Sequence, residues 1–267
     1  MEPAVAQQIW HAEGYHSHSA AQSTAASQLL QYFRFKGNEQ VLDVGCGDGK
    51  ISATIASYVP AGSVLGVDIS PEMIGFAHNL FPKERFPNLL FLIQDAQHLD
   101  YNGKFDVIFS SFALQWILDH DSFLQAAYKS LRPFGCLVAT IPLDISKLFE
   151  ESIAITISLP EWAPYFHNFS KNWHFPTDIE FARMLSMHQF MPTLFEVVSQ
   201  EVIFPSKEAF ENYVLQWFPY FRPLPEDLKQ VFLKQVMDKY FEFEPIQSGK
   251  VRFIFSRLDI IAHKVIP

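Results

Sequence analysis

The sequence predicts a doubly wound α/β fold with a mostly parallel sheet, and three observations predict it. Short apolar runs bounded by turn residues alternate with helix-length segments between residues 37 and 142. The first run breaks into a turn containing Gly45, Gly47 and Gly49. An acidic residue stands at or just past the end of each of the first three runs: Asp43, Asp68 and Asp95. Open α/β sheets bind ligands at that edge.

Residues 1–24 are polar and small, with Trp10, Tyr15, His16 and His18 among them. A purely disordered tail has little use for such aromatics, so the segment is expected to be a lid. Ala25 to Phe35 reads as a helix with Leu29, Leu30 and Phe33 inward. The first strand ends in Asp43, and Ile51 to Tyr58 continues as a helix. Ser63 to Ile69 is the second strand. Ser70-Pro71-Glu72 then opens a helix with a capping Ser, a Pro at the first turn and an acid behind it. Met73 falls just behind Asp68, where it would lie against a base or fill the core. Asn88 to Ile93 is the third strand, Lys104 to Ser111 the fourth and Cys136 to Ile141 the fifth. A helix runs from Ser122 to Leu131, Leu131 to Gly135 reads as its end and a turn, and Glu196 to Phe204 reads as a later strand. The expected organisation is a lid and first helix over 1–36, a nucleotide-binding core over 37–142, a helical insertion or cap over 143–194, and completion of the sheet over 195–267.

Composition narrows the functions. An apolar fraction of 49% over 267 residues supports a packed core. A net charge of −9 argues against a general nucleic-acid binder, which favours basic surfaces. Two cysteines, one of them inside the glycine turn, argue against a structural disulfide and for a reducing, cytoplasmic setting. No secretory leader is read at Met1-Glu2-Pro3, and no apolar run reaches the ~18 residues that span a bilayer. No His/Cys cluster has metal-ligand spacing, so no metal is expected.

The glycine turn identifies the kind of ligand. A dinucleotide fingerprint is G-x-G-x-x-G, but here the third glycine comes one position early and Lys50 takes its place. Asp43 stands two positions before the first glycine. A carboxylate there would repel a pyrophosphate and suit a cationic ligand. An NAD-linked dehydrogenase is disfavoured for the same reasons.

The segments VLDVGCGDG, LGVDISPEM, IQDAQHL, FDVIFSSFALQWILDH and LRPFGCLVATIP follow in order. Together they resemble the class I S-adenosylmethionine (SAM) methyltransferases, most closely the trans-aconitate methyltransferase group. The malonyl-acyl-carrier-protein and juvenile hormone acid methyltransferases are neighbours, and all three families methylate a carboxylate. WFPYFRPLP and FIFSRLDIIAHK look, more loosely, like the C-terminal segments of the trans-aconitate group. The resemblance implies a Rossmann-like, seven-stranded sheet whose last strand is inserted antiparallel, with a helical, aromatic-rich substrate cap. It implies SAM as cofactor and S-adenosylhomocysteine as product. Asp43, Gly45 and Gly47 would hold the methionine part and Asp68 the ribose, and Cys46 and Ile69 beside them would also contact the cofactor. Met73, Asp95 and Ala96 would hold the adenine. Ser111 and Phe112 would line the sulfonium, and Gln115 and Trp116 would face the transferred methyl.

The acceptor is read from the second half. The insertion is rich in aromatics, including Trp162, Phe166 and Trp173, and these are either a core or an apolar pocket. The trans-aconitate group has a basic residue in the segment corresponding to Gln22, whereas residues 1–24 here contain no Lys or Arg. Arg222 and Arg257, with Arg183 a further candidate, are left as a clamp for an acid, and Tyr15 and Trp116 as further substrate contacts. A carboxylate is ionised at neutral pH and needs no general base. His120 is the best-placed base, although a histidine there is more often a cap. The expected function is carboxyl O-methylation of a small organic acid with an apolar part, by a monomer or weak dimer. A hydroxyl or amine acceptor, or a SAM-binding module without turnover, is the alternative.

Overall fold

A computed structural model describes residues 10–266. The first nine residues of the expected lid lie outside the described residues. Two helices, α1 (Ala12–His18) and α2 (Ala20–Tyr32), precede β1 (Gln40–Val44). There follow α3 (Lys50–Tyr58), β2 (Ser63–Asp68), α4 (Pro71–Leu80), β3 (Leu89–Ile93), β4 (Phe105–Ser111), α5 (His120–Ser130) and β5 (Leu131–Pro142). The second half contributes α6 (Lys147–Ile157), α7 (Ala163–Phe166), α8 (Asp178–Met187), β6 (Phe190–Phe204), α9 (Lys207–Leu215), α10 (Glu226–Phe243) and β7 (Val251–Lys264).

The seven strands lie in the order β3-β2-β1-β4-β5-β7-β6. β1 pairs in parallel with β2 and β4, opposing Val41 to Val64 on one side and to Val107 on the other. β5 pairs with β7 antiparallel, from Cys136 opposite His263 to Pro142 opposite Arg257. The doubly wound sheet with its final strand inserted antiparallel is therefore as the sequence predicts. The central strands read as continuous apolar runs because helices cover both faces. One face packs Leu42, Val44, Ile108 and Leu137 against Phe123 and Phe181; the other packs Val41, Val107 and Phe109 against Leu29 and Ile55.

Local chemistry sets the boundaries. Gly49 caps α3 in the left-handed region (φ 80°). Ser70 Oγ accepts the Met73 amide at 3.3 Å, and Pro71 begins α4 as its fixed φ favours. Thr177 and Glu180 form a reciprocal capping box on α8.

Three elements differ from the expectation. The helix placed over Ala25 to Phe35 runs from Ala20 to Tyr32, because its buried face extends back through Ala21 and a bend at Ser19 separates it from α1. Leu131 to Gly135 is not a free turn. Leu131 opposes Phe105, Cys136 opposes Val107, and the residues between bulge out with Phe134 at φ 65°. Pairing with β4 on both sides of the turn residues keeps the strand going. β6 begins at Phe190, six residues before the expected Glu196, since Phe190 reaches the core at 3% exposure.

The chain divides into two compact units. The larger contains residues 10–143, Trp173–Val198 and 257–266. The smaller contains Asp144–Asn172 and Ser199–Ser256. The smaller has its own aromatic core: the Phe149 ring lies 5.4–5.9 Å from the rings of Tyr240, Phe253 and Phe210. Trp162 belongs to that core, 5.1 Å from Phe232, with its indole N–H donated to Gln235 at 2.7 Å. No helix among the described residues is long and apolar enough to cross a membrane.

Candidate functional site

The strands of the larger unit end together, and their tips open into a cleft of about 760 Å³. Gly45 and Gly47 form its floor beside β1. Asp68, Ile69 and Met73 come from the end of β2 and the start of α4; Gln94, Asp95, Ala96 and Gln97 follow β3. Ser111 ends β4 and Phe112, Ala113, Trp116 and Ile117 follow it, and Trp10 and Tyr15 close the remaining side. A second recess of about 390 Å³ shares Tyr15, Gly45, Gly47 and Ser111 and adds Asp43, Cys46, Asp48, Ser19 and Gln22.

The glycines are required by the backbone. Gly45 sits at φ 70°, and a Cβ there would meet the Ala113 Cβ at 2.1 Å. Gly47 sits at φ 52°, and its amide donates to Asp68 Oδ2 at 3.0 Å. The other oxygen of Asp68 accepts the Ser70 amide at 2.9 Å. Asp68 is thereby held at the cleft wall with lone pairs to spare for hydroxyl donors. Asp95 accepts the Gln97 amide at 2.9 Å, which makes it a local cap as well as a cleft residue.

Asp43 is buried (2% exposed) and accepts from Ser52 Oγ at 2.5 Å. Burial pushes its carboxyl up to about 7, against the hydrogen bond from Ser52, and the charges of Asp68 and Asp48 add to the rise. Burial also raises Asp68, opposed by the backbone amides of Ser70 and Gly47. Crowded carboxylates of this kind would be relieved by a cation. Asp48 already has such relief from Lys50 Nζ at 3.3 Å, and shares a hydrogen bond of 2.8 Å with His16 Nδ1. Lys50, which displaces the third glycine of a dinucleotide fingerprint, thus serves the neighbouring turn.

Unsatisfied polar atoms mark the same place. Among the described residues, Ser111 Oγ and Gln22 Oε1 are buried without a hydrogen-bond partner, and both residues line the recess. A buried orphan of this kind costs about 1–3 kcal/mol, so it points to a ligand that supplies the missing bond. A polar, cationic ligand with a flat apolar portion fits these walls.

The expected cofactor residues therefore converge, divided between the cleft and its recess. The expected catalytic and substrate residues divide further. Trp116 and Tyr15 line the cleft. Gln115 is buried behind it, its amide donating to the Phe112 carbonyl at 2.8 Å. His120 is also buried and donates from Nε2 to the Leu114 carbonyl at 2.8 Å; it is not among the lining residues. Arg257 is 2% exposed and holds Asp259 through two bonds of 3.0 Å, with Gln28 Oε1 at 2.8 Å. The charge expected to clamp an acid is committed to Asp259. Arg222 is exposed in the smaller unit.

Sequence reasoning did not assign Gln94, Ala113 and Ile117 to the cleft, and it placed Trp10 only within an expected lid. Ala113 had a signal: it follows the strand tip within the run that also holds Trp116. Trp10 is a wall only because α1 brings it to 5.2 Å from Trp116. A row of rings, Tyr15, Trp10, Trp116, Trp173 and Phe175, runs from the cleft outward with successive centroids 5.0–5.8 Å apart. Trp173, which was either core or pocket, is the neighbour of Trp116 in that row.

Known proteins agree with this geometry. A family described as a methyltransferase domain matches residues 35–170. The trans-aconitate 2-methyltransferase of Deinococcus radiodurans is 36% identical over 135 residues, covering 51% of this chain and 50% of that protein. The enzyme of that name from Escherichia coli O17:K52:H18 is 26% identical over 269 residues, covering 96% and 98%. Among solved structures, BH2331 of Bacillus halodurans C-125 shares the fold, with a TM-score of 0.65 at 17% identity over 91% of this chain and all of that one.

Proposed function

The chain belongs to the methyltransferase-domain family and is a class I SAM-dependent methyltransferase, and from that premise we propose that it methylates the carboxylate of a small organic acid with an apolar part. SAM supplies an electrophilic methyl on a sulfonium. The residues at the cleft fit it. Asp68 would accept from ribose hydroxyls, Met73 would lie against the adenine, and Asp95 with Ala96 would read its edge. Gln22, Ser111 and the acids of the recess suit the methionine end, with its ammonium group.

The observation that carries the acceptor proposal is the aromatic wall. Trp10, Trp116 and Tyr15 present apolar surface to the cleft. Such a wall excludes water and aligns an acceptor; alignment and desolvation carry most of the rate of a displacement at carbon. A carboxylate comes to it already ionised, so no residue must remove a proton. The relatives named as trans-aconitate 2-methyltransferases support an acid acceptor. The setting we propose is reducing and cytoplasmic, supported by the two buried, free thiols of Cys46 and Cys136.

The test is transfer of labelled methyl from SAM to a panel of organic acids of increasing apolar size. A base-labile ester is expected, with larger apolar acids preferred over trans-aconitate. Products stable to base, formed on hydroxyls or amines alone, would overturn the carboxylate reading and leave the methyltransferase class standing.

A further inference from the structure

We propose that His120 is a positioning residue for the methyl-transfer site: the N–H on its Nε2 fixes the turn Leu114–Trp116 and so holds the Trp116 ring in the cleft wall. The inference rests on reading the cleft as that site. The Leu114 carbonyl accepts both the Ile117 amide at 3.0 Å and His120 Nε2 at 2.8 Å. A carbonyl cannot donate, so Nε2 carries the proton and Nδ1 is the bare nitrogen. The imidazole is 4% exposed and lies between His174, 5.6 Å away, and Phe181, 5.9 Å away. Burial holds its pKa below the ordinary value, which keeps the ring neutral.

The turn needs this tie. Phe112, at its entrance, stands at φ 52°, a region bulky side chains avoid. Strain of this kind persists only where the surroundings over-determine the backbone. Further ties run from Phe112 N to the Thr140 carbonyl at 3.0 Å, Trp116 N to the Ala113 carbonyl at 3.0 Å, Gln115 Nε2 to the Phe112 carbonyl at 2.8 Å, and His174 N to the Gln115 carbonyl at 2.7 Å. His120 stands at the first position of α5, whose cap Asp119 accepts the Ser122 amide at 2.9 Å. The helix start is therefore a fixed post, and His120 transmits its position to the turn. A base role does not fit, because the ring is buried behind the wall and does not line the cleft.

The test uses the full chain labelled with 5-fluorotryptophan, whose five fluorine signals are read with and without S-adenosylhomocysteine, the Trp116 signal being assigned by its loss in Trp116→Phe. In His120→Phe, which keeps a ring and loses the donor, the Trp116 signal shifts or broadens while that of Trp162 stays in place. In His120→Gln, whose amide can donate to the same carbonyl, the Trp116 signal returns toward its native position. An unmoved Trp116 signal in His120→Phe overturns the proposal, as does a Gln variant indistinguishable from Phe. Should His120→Phe fail to fold, nitrogen NMR of the wild-type imidazole decides: a proton on Nε2 is required, and a proton on Nδ1 sinks the proposal. None of these readouts depends on the acceptor, so their failure is distinct from failure of the carboxylate reading.

Discussion

Asp43 carries a carboxyl that burial holds partly protonated near neutrality and that a cationic guest would ionise. Its pKa in the fold, about 7, lies above the ordinary 3.8. The sign follows: the folded ligand-free protein binds more protons than the unfolded chain between those values, so its stability falls as pH rises through that window. Binding a cation favours the ionised form, so affinity for SAM should rise as pH rises from 6 to 8. Calorimetry in buffers of different ionisation heat should show proton release at pH 6.5, and Asp43→Asn should flatten most of the dependence. Asp68→Asn should weaken SAM binding at least about tenfold at every pH, since it removes a charged acceptor worth about 1.5–3 kcal/mol. Trp116→Ala should separate differently, lowering the transfer rate far more than the affinity for S-adenosylhomocysteine. Equal losses in both would make Trp116 a cofactor contact and remove it from the acceptor wall.

The turn after β1 and the last strand show how an element constrains its side chains. Gly45 is held at φ 70° with no room for a Cβ against Ala113. Gly45→Ala should therefore cost about 1–3 kcal/mol in a melt and abolish SAM binding, from strain and from the clash together. On β7, Arg257 and Asp259 are two apart and so share one face of the strand. That spacing was visible in the sequence and marks a pair; reading Arg257 as a free clamp overlooked it. Breaking a buried pair leaves one charge uncompensated, so Arg257→Met should destabilise by about 3–5 kcal/mol in denaturant. A variant of native stability that has lost activity alone would restore the acid-clamp reading.

The doubly wound class of the sheet and the position of the cleft were legible in the whole chain because both follow from local signals in fixed succession. Each strand–helix unit declares itself by periodicity and caps, right-handed crossovers leave few ways to arrange them, and the tips of parallel strands then share one edge. Glycines and acids adjacent to those tips could be assigned by position alone. The aromatic core of the smaller unit was less legible, since a Phe in a pocket and a Phe in a core look alike in sequence. There Phe149→Ala should cost about 3–5 kcal/mol, read as loss of near-ultraviolet dichroism and an earlier denaturant transition. A cost under about 1 kcal/mol would mean that the ring cluster is loosely packed.

By itself the sequence determined the doubly wound sheet and the convergence of Asp43, Asp68 and Asp95 with the glycine turn, because backbone preferences and a short reach along the chain settle both; the antiparallel last strand was implied by the family resemblance. Tertiary structure alone decided that Trp10 meets Trp116, that His120 is spent on the Leu114 carbonyl and that Asp43 is buried enough to hold a proton. Those facts depend on desolvation and on partners distant in sequence or chosen among carbonyls, and neither quantity is written in the order of the residues.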